Sequence, residues 1–513
     1  MTRRLVGLAC VLVACADGGG VAPVADGGGG GGAPGDLPDA AAPRDLGTDL
    51  GGEEDAGLPM DAGASDPPEL TLRWASDEAQ PLVGWLEVAA TEPVQVAVTA
   101  EGPGGPHRRR SRDLETTQRL PITGLVEGAA YALSVAARTA DGREARASLE
   151  VEVGVVPPEF RPDVALMEGP SDHAGLVLTG QVRGGIISYF AFDGAGRLVW
   201  HYVDPEARGF APPLIRPLEG GIYAIALADE IRGVDVTGAT RFSLPSPEGE
   251  RFHHDFEILP NGHLLALSEE VRRIEGPAGD LVDIIGDVVL ELSPEGRTVH
   301  RWAALDHLDG SRFPDELAYR TLTRDGIEAF DWSHGNAAHY RVSDASVVLS
   351  LRNQHWVMVI DWPAGSVRWR LGDDGDLALV DDDPAYDARW PYAQHAPTWA
   401  ADGRLLVYDN GDPARKDAGF ADVTRVVEFA LDLETRTATQ TWSWAAPFYT
   451  PVVGDVDELS PGALYLVTCG VTDELGAGAI YEVDREGTVQ WSARVGGGAI
   501  YRSEWVPELP SAD

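Results

Sequence analysis

The chain has 513 residues, and 82 acidic against 40 basic side chains give a formal charge of −42 at neutral pH. Nucleic-acid binding draws most of its affinity from Lys and Arg on phosphates, so this charge excludes general nucleic-acid binding. Hydrophobic residues make up 44% of the sequence, which excludes wholesale disorder, and three cysteines are too few for a disulfide scaffold.

Residues 1–15 have the pattern of an export signal. A basic start precedes an apolar run from Leu5 to Ala14, which is too short to span a bilayer. Small residues lead directly to Cys15, and this ending resembles the lipobox of bacterial lipoproteins, in which the cysteine is acylated and becomes the mature N-terminus. We therefore expect a lipoprotein signal peptide, a lipid on Cys15, and an exported protein anchored in the bacterial envelope, in the periplasm or at the cell surface. An ordinary signal peptide is the alternative.

Residues 16–67 differ in composition from everything that follows. They contain no aromatic residue and one basic residue, and Gly, Ala, Asp and Pro dominate. Such a segment cannot bury enough apolar surface to offset the entropy lost on ordering. We predict a disordered linker that holds the folded part of the chain away from the membrane.

Residues 68–156 show short alternating segments separated by turn residues, as expected of a small β-sandwich. The stretches from Ile122 to Leu125 and from Tyr131 to Val135 resemble the late strands of a fibronectin type III module. We predict a fibronectin III-like or immunoglobulin-like β-sandwich domain over this range.

Residues 157–513 carry a loose repeat, in which each unit begins with a turn and an apolar strand and ends with a strand that carries an aromatic residue. The units begin at Ala174, Gly220, Asn261, Asp344, Asp402 and Pro461, and their aromatic residues are Trp200, Phe242, Trp302, Trp369, Trp442 and Trp491. Radial repetition leaves few exposed strand edges, which suits an all-β body of this size. The repeats predict a six-bladed β-propeller.

The first polar cluster contains two adjacent histidines, His253 and His254, in the segment from Phe252 to Gly262. Neighbouring residues of an extended segment point to opposite sides, so only one of the two would face the centre of the propeller. The alternative is one packed and one solvated histidine with no role in chemistry.

The second cluster combines His334 and Asn336 with Arg352 and Gln354. The members of each pair are two residues apart, so an extended backbone would point them to the same side. An arginine within an apolar strand is costly to bury without an anionic partner. That partner is either an anionic ligand or one of the many acidic side chains of the protein.

The third cluster places His395 after Gln394 among aromatic residues, shortly before the segment from Tyr408 to Gly411. This histidine is either a capped core residue or a nucleophile in an aromatic pocket.

In this order and spacing, the clusters resemble the bacterial arylsulfotransferase family, whose members move sulfate from one phenol to another without a nucleotide donor. The resemblance covers roughly residues 160–510. It implies that His395 is the sulfated nucleophile. The other residues that it places in the pocket are His254, His334, Asn336, Arg352 and, by a looser local match, Thr468.

The resemblance implies ping-pong transfer through a sulfohistidine, with phenolic sulfates as donors, phenols as acceptors, and neither a metal nor a nucleotide cofactor. Arg352 would hold two sulfonyl oxygens with its planar guanidinium, and Asn336 would add a hydrogen bond. His254 or His334 would protonate the departing phenolate. Trp356 and Tyr392, with Trp390 and Trp399, would form aryl-binding walls or simply pack between blades.

Two other classes of protein are consistent with parts of the sequence. Clustered histidines with Asp255 are compatible with a metal-dependent hydrolase. A lipid-anchored propeller that binds a ligand or a protein without catalysis is the other alternative, because a fold often serves several functions.

Overall fold

The computed structural model describes residues 66–77, 79–169, 175–208, 212–227, 229–314, 320–380, 388–472 and 476–509. All helices and strands of these ranges lie in the compact unit that takes in Pro68–Asp513. The predicted signal peptide, its lipidation site Cys15 and all but the last two residues of the predicted linker lie outside the described residues.

The first sheet covers most of residues 68–156. Its strands are β1 Leu70–Ser76, β2 Gly84–Glu101, β3 His107–Arg110, β4 Glu115–Ile122, β5 Ala130–Thr139 and β6 Glu144–Glu152. Strand β2 is shared between two groups, because its first half pairs with β1 and β4 whereas its second half pairs with β3, β5 and, through β5, β6. Side chains from both halves, such as Leu86 and Val98, are buried in one core.

Within the described residues, the rest of the chain forms six sheets, each built on four antiparallel strands. Sheet 1 contains β8 Leu176–Arg183, β9 Ile186–Asp193, β10 Leu198–Arg208 and the last strand, β34 Ala499–Val506. Sheet 2 contains β11 Ile215–Leu218, β12 Ile222–Ala226, β13 Glu230–Asp235 and β14 Thr240–Pro245. Sheet 3 contains β15 Phe256–Ile258, β16 Leu264–Glu275, β17 Leu281–Leu292 and β18 Thr298–Ala303, with β19 Thr321–Arg324 and β20 Ile327–Asp331 added beside β17.

Sheet 4 contains β21 Gly335–Arg341, β22 Ser346–Leu351, β23 Trp356–Asp361 and β24 Val367–Leu371. Sheet 5 contains β26 His395–Trp399, β27 Leu405–Asp409, β28 Arg425–Asp432 and β29 Thr437–Ala445, and the short β25 Ala378–Val380 runs parallel to β29. Sheet 6 contains β30 Asp455–Ser460, β31 Leu464–Thr472, β32 Ala477–Asp484 and β33 Val489–Gly496, and β7 Asp163–Leu166 pairs with β33. The described α-helices are α1 Ala304–His307 and α2 Pro413–Asp417, so the protein is all-β.

The predicted repeat units fall one into each of these sheets. Each unit begins at the second strand of its sheet, and its aromatic residue lies in the fourth strand. Four of these aromatic residues donate their indole N–H, at 2.8 Å, to a carbonyl in the turn between the third and fourth strands of the next sheet. The pairs are Trp200 to Val236, Trp302 to Gly365, Trp442 to Arg485, and Trp491 to Gly194.

The last part of the chain returns to the first sheet. Strand β34 pairs with β8, and the hydroxyl of Thr179 donates to the carbonyl of Arg502 at 2.7 Å. The bond from Trp491 to Gly194 joins sheet 6 to sheet 1 in the same way that the other tryptophans join successive sheets. The first strands of sheets 3 to 6 contact one another in order, and β30 contacts β34.

No helix within the described ranges is long and apolar enough to cross a membrane.

Candidate functional site

A cavity of about 70 Å³ is lined by residues that lie in, or next to, strands of all six sheets. Its lining residues are Val182, Pro212, Pro213, His254, Arg320, His334, Arg352, His395, Val452, Val453, Val471, Ala499, Ile500 and Tyr501. Four of the residues for which the sequence predicts a catalytic role, namely His254, His334, Arg352 and His395, therefore share one cavity.

His395 is the first residue of β26, and its side chain is almost fully buried. Its Nδ1 lies 2.6 Å from Oδ1 of Asn410. The amide nitrogen of Asn410 donates to the carbonyls of Thr450 and Val453, both at 2.8 Å, and these two bonds fix the orientation of the amide. Since an amide oxygen only accepts, Nδ1 of His395 carries the proton and Nε2 carries the lone pair.

Burial is the main reason that the pKa of His395 lies well below the ordinary value of 6.5, and the positive charge of Arg352 lowers it further. The imidazole is therefore neutral near pH 7. Within the described part of the chain, Nε2 makes no hydrogen bond. The site thus presents an unprotonated ring nitrogen beside a guanidinium, which suits nucleophilic attack on an anionic ester.

His254 lies just before β15 and adopts a left-handed backbone conformation, with φ of 53°. The sequence-based expectation of an extended segment is wrong here, because the N–H of Asp255 bonds back to the carbonyl of His253 at 2.6 Å and turns the chain. The two rings therefore touch, with 2.9 Å between their Nδ1 atoms. His254 lines the cavity, and His253 lies behind it.

His334 also has a left-handed backbone, with φ of 50°, and precedes β21 instead of belonging to it. Its ring centroid lies 4.8 Å from that of His254. Its Nδ1 lies 2.6 Å from Oδ2 of Asp331, so this carboxylate orients the ring and accepts the Nδ1 proton. Left-handed conformations are unfavourable for residues other than glycine, and their presence at two cavity histidines is typical of functional sites.

Arg352 does not continue the apolar strand as the sequence suggested. Strand β22 ends at Leu351, and residues Arg352–Gln354 form a short 3₁₀ turn that carries the guanidinium into the cavity. The guanidinium donates to Oδ1 of Asn353 at 3.0 Å and to the carbonyl of Pro451 at 3.3 Å. These bonds hold a permanent positive charge at the cavity wall.

Two predicted substrate-binding residues, Asn336 and Thr468, are not among the cavity-lining residues. The amide nitrogen of Asn336 donates to the carbonyl of Gln394 at 2.9 Å and so joins sheets 4 and 5. The buried hydroxyl of Thr468 makes no hydrogen bond among the described residues.

The predicted aromatic walls also lie away from the cavity lining. The ring of Trp356 contacts the guanidinium groups of Arg312 and Arg370, at 4.1 and 4.8 Å, and Tyr392 stacks on His355 at 4.0 Å. Trp390 and Trp399 contact Phe429 and Trp369 in other parts of sheets 4 and 5. The aromatic residue that lines the cavity is Tyr501, whose ring lies 6.1 Å from that of His254.

Sequence reasoning missed Tyr501 and Arg320 in the lining and the supporting residues Asn410 and Asp331. Tyr501 lies in an apolar stretch of the last strand. The feature of the sequence that could have indicated it is a tyrosine followed directly by Arg502. Asn410 belongs to the segment from Tyr408 to Gly411, in which the sequence alone indicates no role for it.

A buried ionic network lies beside the cavity. Asp255 accepts from Arg216 at 2.8 Å, from Arg502 at 3.2 Å and from the N–H of Ala338 at 3.0 Å. Burial opposes ionisation of Asp255, but the two arginines outweigh it and hold its pKa below the ordinary value. The network fixes the residue after His254 to strands of sheets 1, 2 and 4. Each carboxylate oxygen of Asp255 therefore accepts a hydrogen bond from an arginine.

In the described ranges, no group of three or more His, Cys, Asp or Glu side chains is arranged to hold a metal ion.

The family model for arylsulfotransferase (ASST) matches residues 173–501, which is more than half of the chain. Arylsulfate sulfotransferase AssT of Escherichia coli O6:H1 strain CFT073 is 24% identical over 272 residues, which are 42% of this chain and 44% of that protein. The chain thus spans less than half the length of this curated relative.

The solved structures that it resembles are more distant. A Bacteroides caccae protein of unknown function has a TM-score of 0.40 and 14% identity, over 66% of this chain and 100% of that one. TolB from Acinetobacter baumannii has a TM-score of 0.36 and 12% identity, over 74% and 80% of the two chains. The family match confirms the resemblance found in the sequence: the chain belongs to the arylsulfotransferase family.

Proposed function

We propose that the protein is an aryl-sulfate sulfotransferase that moves a sulfuryl group from a phenolic sulfate ester to another phenol through a sulfohistidine at His395. The observation that carries the proposal is the unprotonated Nε2 of a neutral, oriented imidazole in a cavity shared with Arg352, His254 and His334. Membership of the arylsulfotransferase family supports the same reaction.

In the first half-reaction, Nε2 of His395 attacks the sulfur and the bond between sulfur and the phenolic oxygen breaks. By analogy with phosphoryl transfer, the transition state is loose, so positioning and charge stabilisation dominate. Arg352 binds two of the sulfonyl oxygens. The departing phenolate takes a proton from His254 or His334, an effect typically worth about 10²- to 10⁴-fold.

In the second half-reaction, an acceptor phenol replaces the departed one and loses its proton to the same histidine. Its oxygen attacks the sulfur, the bond between Nε2 and sulfur breaks, and the free imidazole is restored. Each phenol leaves before the next enters, so the kinetics are ping-pong.

The size of the cavity bears on where the aryl ring lies. On the scale in which one water needs about 10–15 Å³, the cavity of about 70 Å³ has room for several water molecules and hence for a sulfuryl group beside His395 and Arg352. We infer that the aryl ring lies along the apolar part of the lining, which includes Val453, Ile500 and Tyr501.

The decisive experiment incubates the purified protein with 4-nitrophenyl sulfate, with and without phenol. We expect nitrophenol release that depends on phenol, a radiolabelled sulfuryl group on the protein when the donor is labelled, and loss of both in His395→Ala. His300→Ala, on the outer strand β18, is the matched control and should keep both. Release that is independent of acceptor would indicate a sulfatase, and loss of activity on exhaustive chelation would indicate a metal-dependent hydrolase.

For the architecture, we propose that the six sheets are the blades of a β-propeller and that residues 68–156 form a β-sandwich. Three features support a closed ring: the cavity drawn from all six sheets, the tryptophan bonds between successive sheets, and the pairing of β34 with β8. The division of β2 between two groups of strands supports the sandwich. An experimental structure with a different number of sheets around the cavity would overturn the proposal.

For the location, we propose that the protein is exported and anchored to an envelope membrane by a lipid on Cys15, from which residues 16–67 extend as a linker. The basis is the sequence pattern alone. Fractionation tests it: the wild type should sediment with membranes and incorporate labelled palmitate, and Cys15→Ala should do neither. Equal membrane retention of both proteins would contradict it.

A further inference from the structure

A line of three ionisable side chains leads from the cavity into the interior of sheet 3. His254 lines the cavity, and its Nδ1 lies 2.9 Å from Nδ1 of His253. On its other side, Nε2 of His253 lies 3.4 Å from Oδ1 of Asp287. This Nε2 atom is buried and makes no hydrogen bond within the described residues. The carboxylate that it faces is that of Asp287.

The two carboxylate oxygens of Asp287 have different partners. Oδ2 accepts the hydroxyl of Ser333 and, at 2.5 Å, the N–H of Gly335. Oδ1 is left to face His253. Burial raises the pKa of Asp287 above its ordinary value, although these donors and the two nearby histidines act in the opposite direction. A carboxyl group that closes this 3.4 Å separation to hydrogen-bonding distance when substrate binds can exchange a proton with the ring of His253.

Two pairs of ionisable side chains lie close to this line. A cavity of about 20 Å³ lies on the far side of His254 and has room for about one water molecule. Glu269 and Arg324, which line it, form an ion pair. Asp331, which also lines it, is bonded to His334. The line from Asp287 to His254 is therefore separate from the pair that orients His334.

We propose that His253 and Asp287 are a proton relay behind His254, and that Asp287 stores the proton which passes between enzyme and phenol in each half-reaction. The proposal deepens the proposed function and rests on it. His254 is the catalytic residue, because it lines the cavity, and the other two are positioning residues that act through it.

Three protons shift along this line in the first half-reaction. Before transfer, Asp287 is protonated, His253 carries its proton on Nδ1 and donates it to Nδ1 of His254, and His254 carries its proton on Nε2. The departing phenolate takes the Nε2 proton of His254. The Nδ1 proton of His253 moves to Nδ1 of His254, and the proton of Asp287 moves to Nε2 of His253.

The result is a neutral phenol, an Asp287 carboxylate and two neutral histidines. Each imidazole has lost one proton and gained one, and only Asp287 has changed its charge. In the second half-reaction the acceptor phenol gives its proton to Nε2 of His254, and every shift runs in reverse. No oxidant, reductant or metal is needed, and neither His253 nor His254 has to persist as a charged imidazolium in a buried site.

The relay predicts a dependence on the leaving group. A 4-nitrophenolate is a stable anion and departs without protonation, whereas the unsubstituted phenolate is far more basic and needs the proton. A defect in the relay should therefore slow transfer from phenyl sulfate much more than transfer from 4-nitrophenyl sulfate. A general loss of structure would slow both to the same extent.

The test compares the two donors in Asp287→Asn and His253→Gln, with an acceptor that is itself acidic so that the second half-reaction is not limiting. Both variants keep hydrogen-bonding capacity but cannot pass the proton on. We expect kcat/KM for phenyl sulfate to fall by about 10²-fold or more, the range for general acid catalysis, and that for 4-nitrophenyl sulfate to fall by less than about tenfold. The control Glu269→Gln removes a charge from the same small cavity and should leave the ratio of the two donors unchanged.

Equal losses for both donors, or no loss for phenyl sulfate, would overturn the relay. Asp287→Asn is buried and its thermal melting must match the wild type; if it fails to fold, His253→Gln decides alone. A different result would refute the proposed function itself, namely that the wild type transfers sulfate from neither donor.

Discussion

The orientation of His395 depends on one side chain, Asn410, and this dependence can be measured. The Asn410 amide makes three hydrogen bonds: it accepts from Nδ1 of His395 at 2.6 Å and donates to the carbonyls of Thr450 and Val453 at 2.8 Å. Asn410→Asp and Asn410→Leu both lose the two donated bonds. Only Asn410→Leu also loses the acceptor, so the difference between the variants isolates the bond to His395.

Without an acceptor, a buried Nδ1–H is left unpaired, which costs about 1–3 kcal/mol. The proton then moves to Nε2, where it blocks the nucleophile. At about 1.36 kcal/mol per tenfold change in rate, the population of the reactive tautomer falls by about 5- to 150-fold. We expect kcat/KM of Asn410→Leu to lie below that of Asn410→Asp by this factor.

The assay is nitrophenol release from 4-nitrophenyl sulfate at saturating phenol and at pH 8 or above. High pH is needed because the new carboxylate beside His395 favours the protonated imidazole and raises its pKa. Thermal melting checks that both variants are folded, since each leaves two carbonyls without a donor. Variants within twofold of each other at every pH would refute the assignment of the Nδ1–H tautomer.

Three further predictions concern the charges of the site and its support. Arg352→Lys keeps the positive charge but loses the planar guanidinium. It should lower kcat/KM by about 10- to 150-fold, which corresponds to the loss of charge-assisted hydrogen bonds worth about 1.5–3 kcal/mol. An unchanged kcat/KM would show that charge alone suffices. Burial and Arg352 lower the pKa of His395 well below 6.5, so the rate of the first half-reaction should stay constant between pH 7.5 and 6. An ordinary imidazole would be about three-quarters protonated at pH 6, and a rate that falls with the titration of such a group would contradict the prediction. Burial and the nearby Glu504 raise the pKa of Asp455, so the folded state binds this proton more tightly than the unfolded chain does, and stability falls as pH rises. Asp455→Asn should therefore raise the free energy of unfolding more at pH 8 than at pH 5. Equal increases at the two pH values would contradict this prediction.

The repeats and their aromatic residues could be predicted from the sequence because they depend on local patterns. Alternation of apolar residues and the placing of Gly and Asp in turns are read along a few residues, and each unit found in this way corresponds to the second to fourth strands of a sheet. The histidines and Arg352 could be selected because such residues are unusual in apolar surroundings. The family resemblance joined them into one site.

The backbone at these residues could not be predicted from the same patterns. The sequence suggested extended segments at His254, His334 and Arg352, but two of these residues are left-handed and the third begins a 3₁₀ turn. Strain of this kind is held in place by contacts from other sheets, such as the bonds of Arg216 and Arg502 to Asp255. Local propensity contains no record of those contacts.

The sequence by itself determined that this is an acidic, all-β chain with a repeated unit and with the residue types of a sulfuryl-transfer site. Only the tertiary structure decided which side chains share the cavity: it brought in Tyr501 and left out Trp356 and Tyr392. It also set the tautomer of His395 and placed His253 behind His254. The reason is that strand periodicity fixes which side of its own strand a residue faces, whereas proximity in the cavity depends on how different sheets, which supply its lining residues, pack against one another.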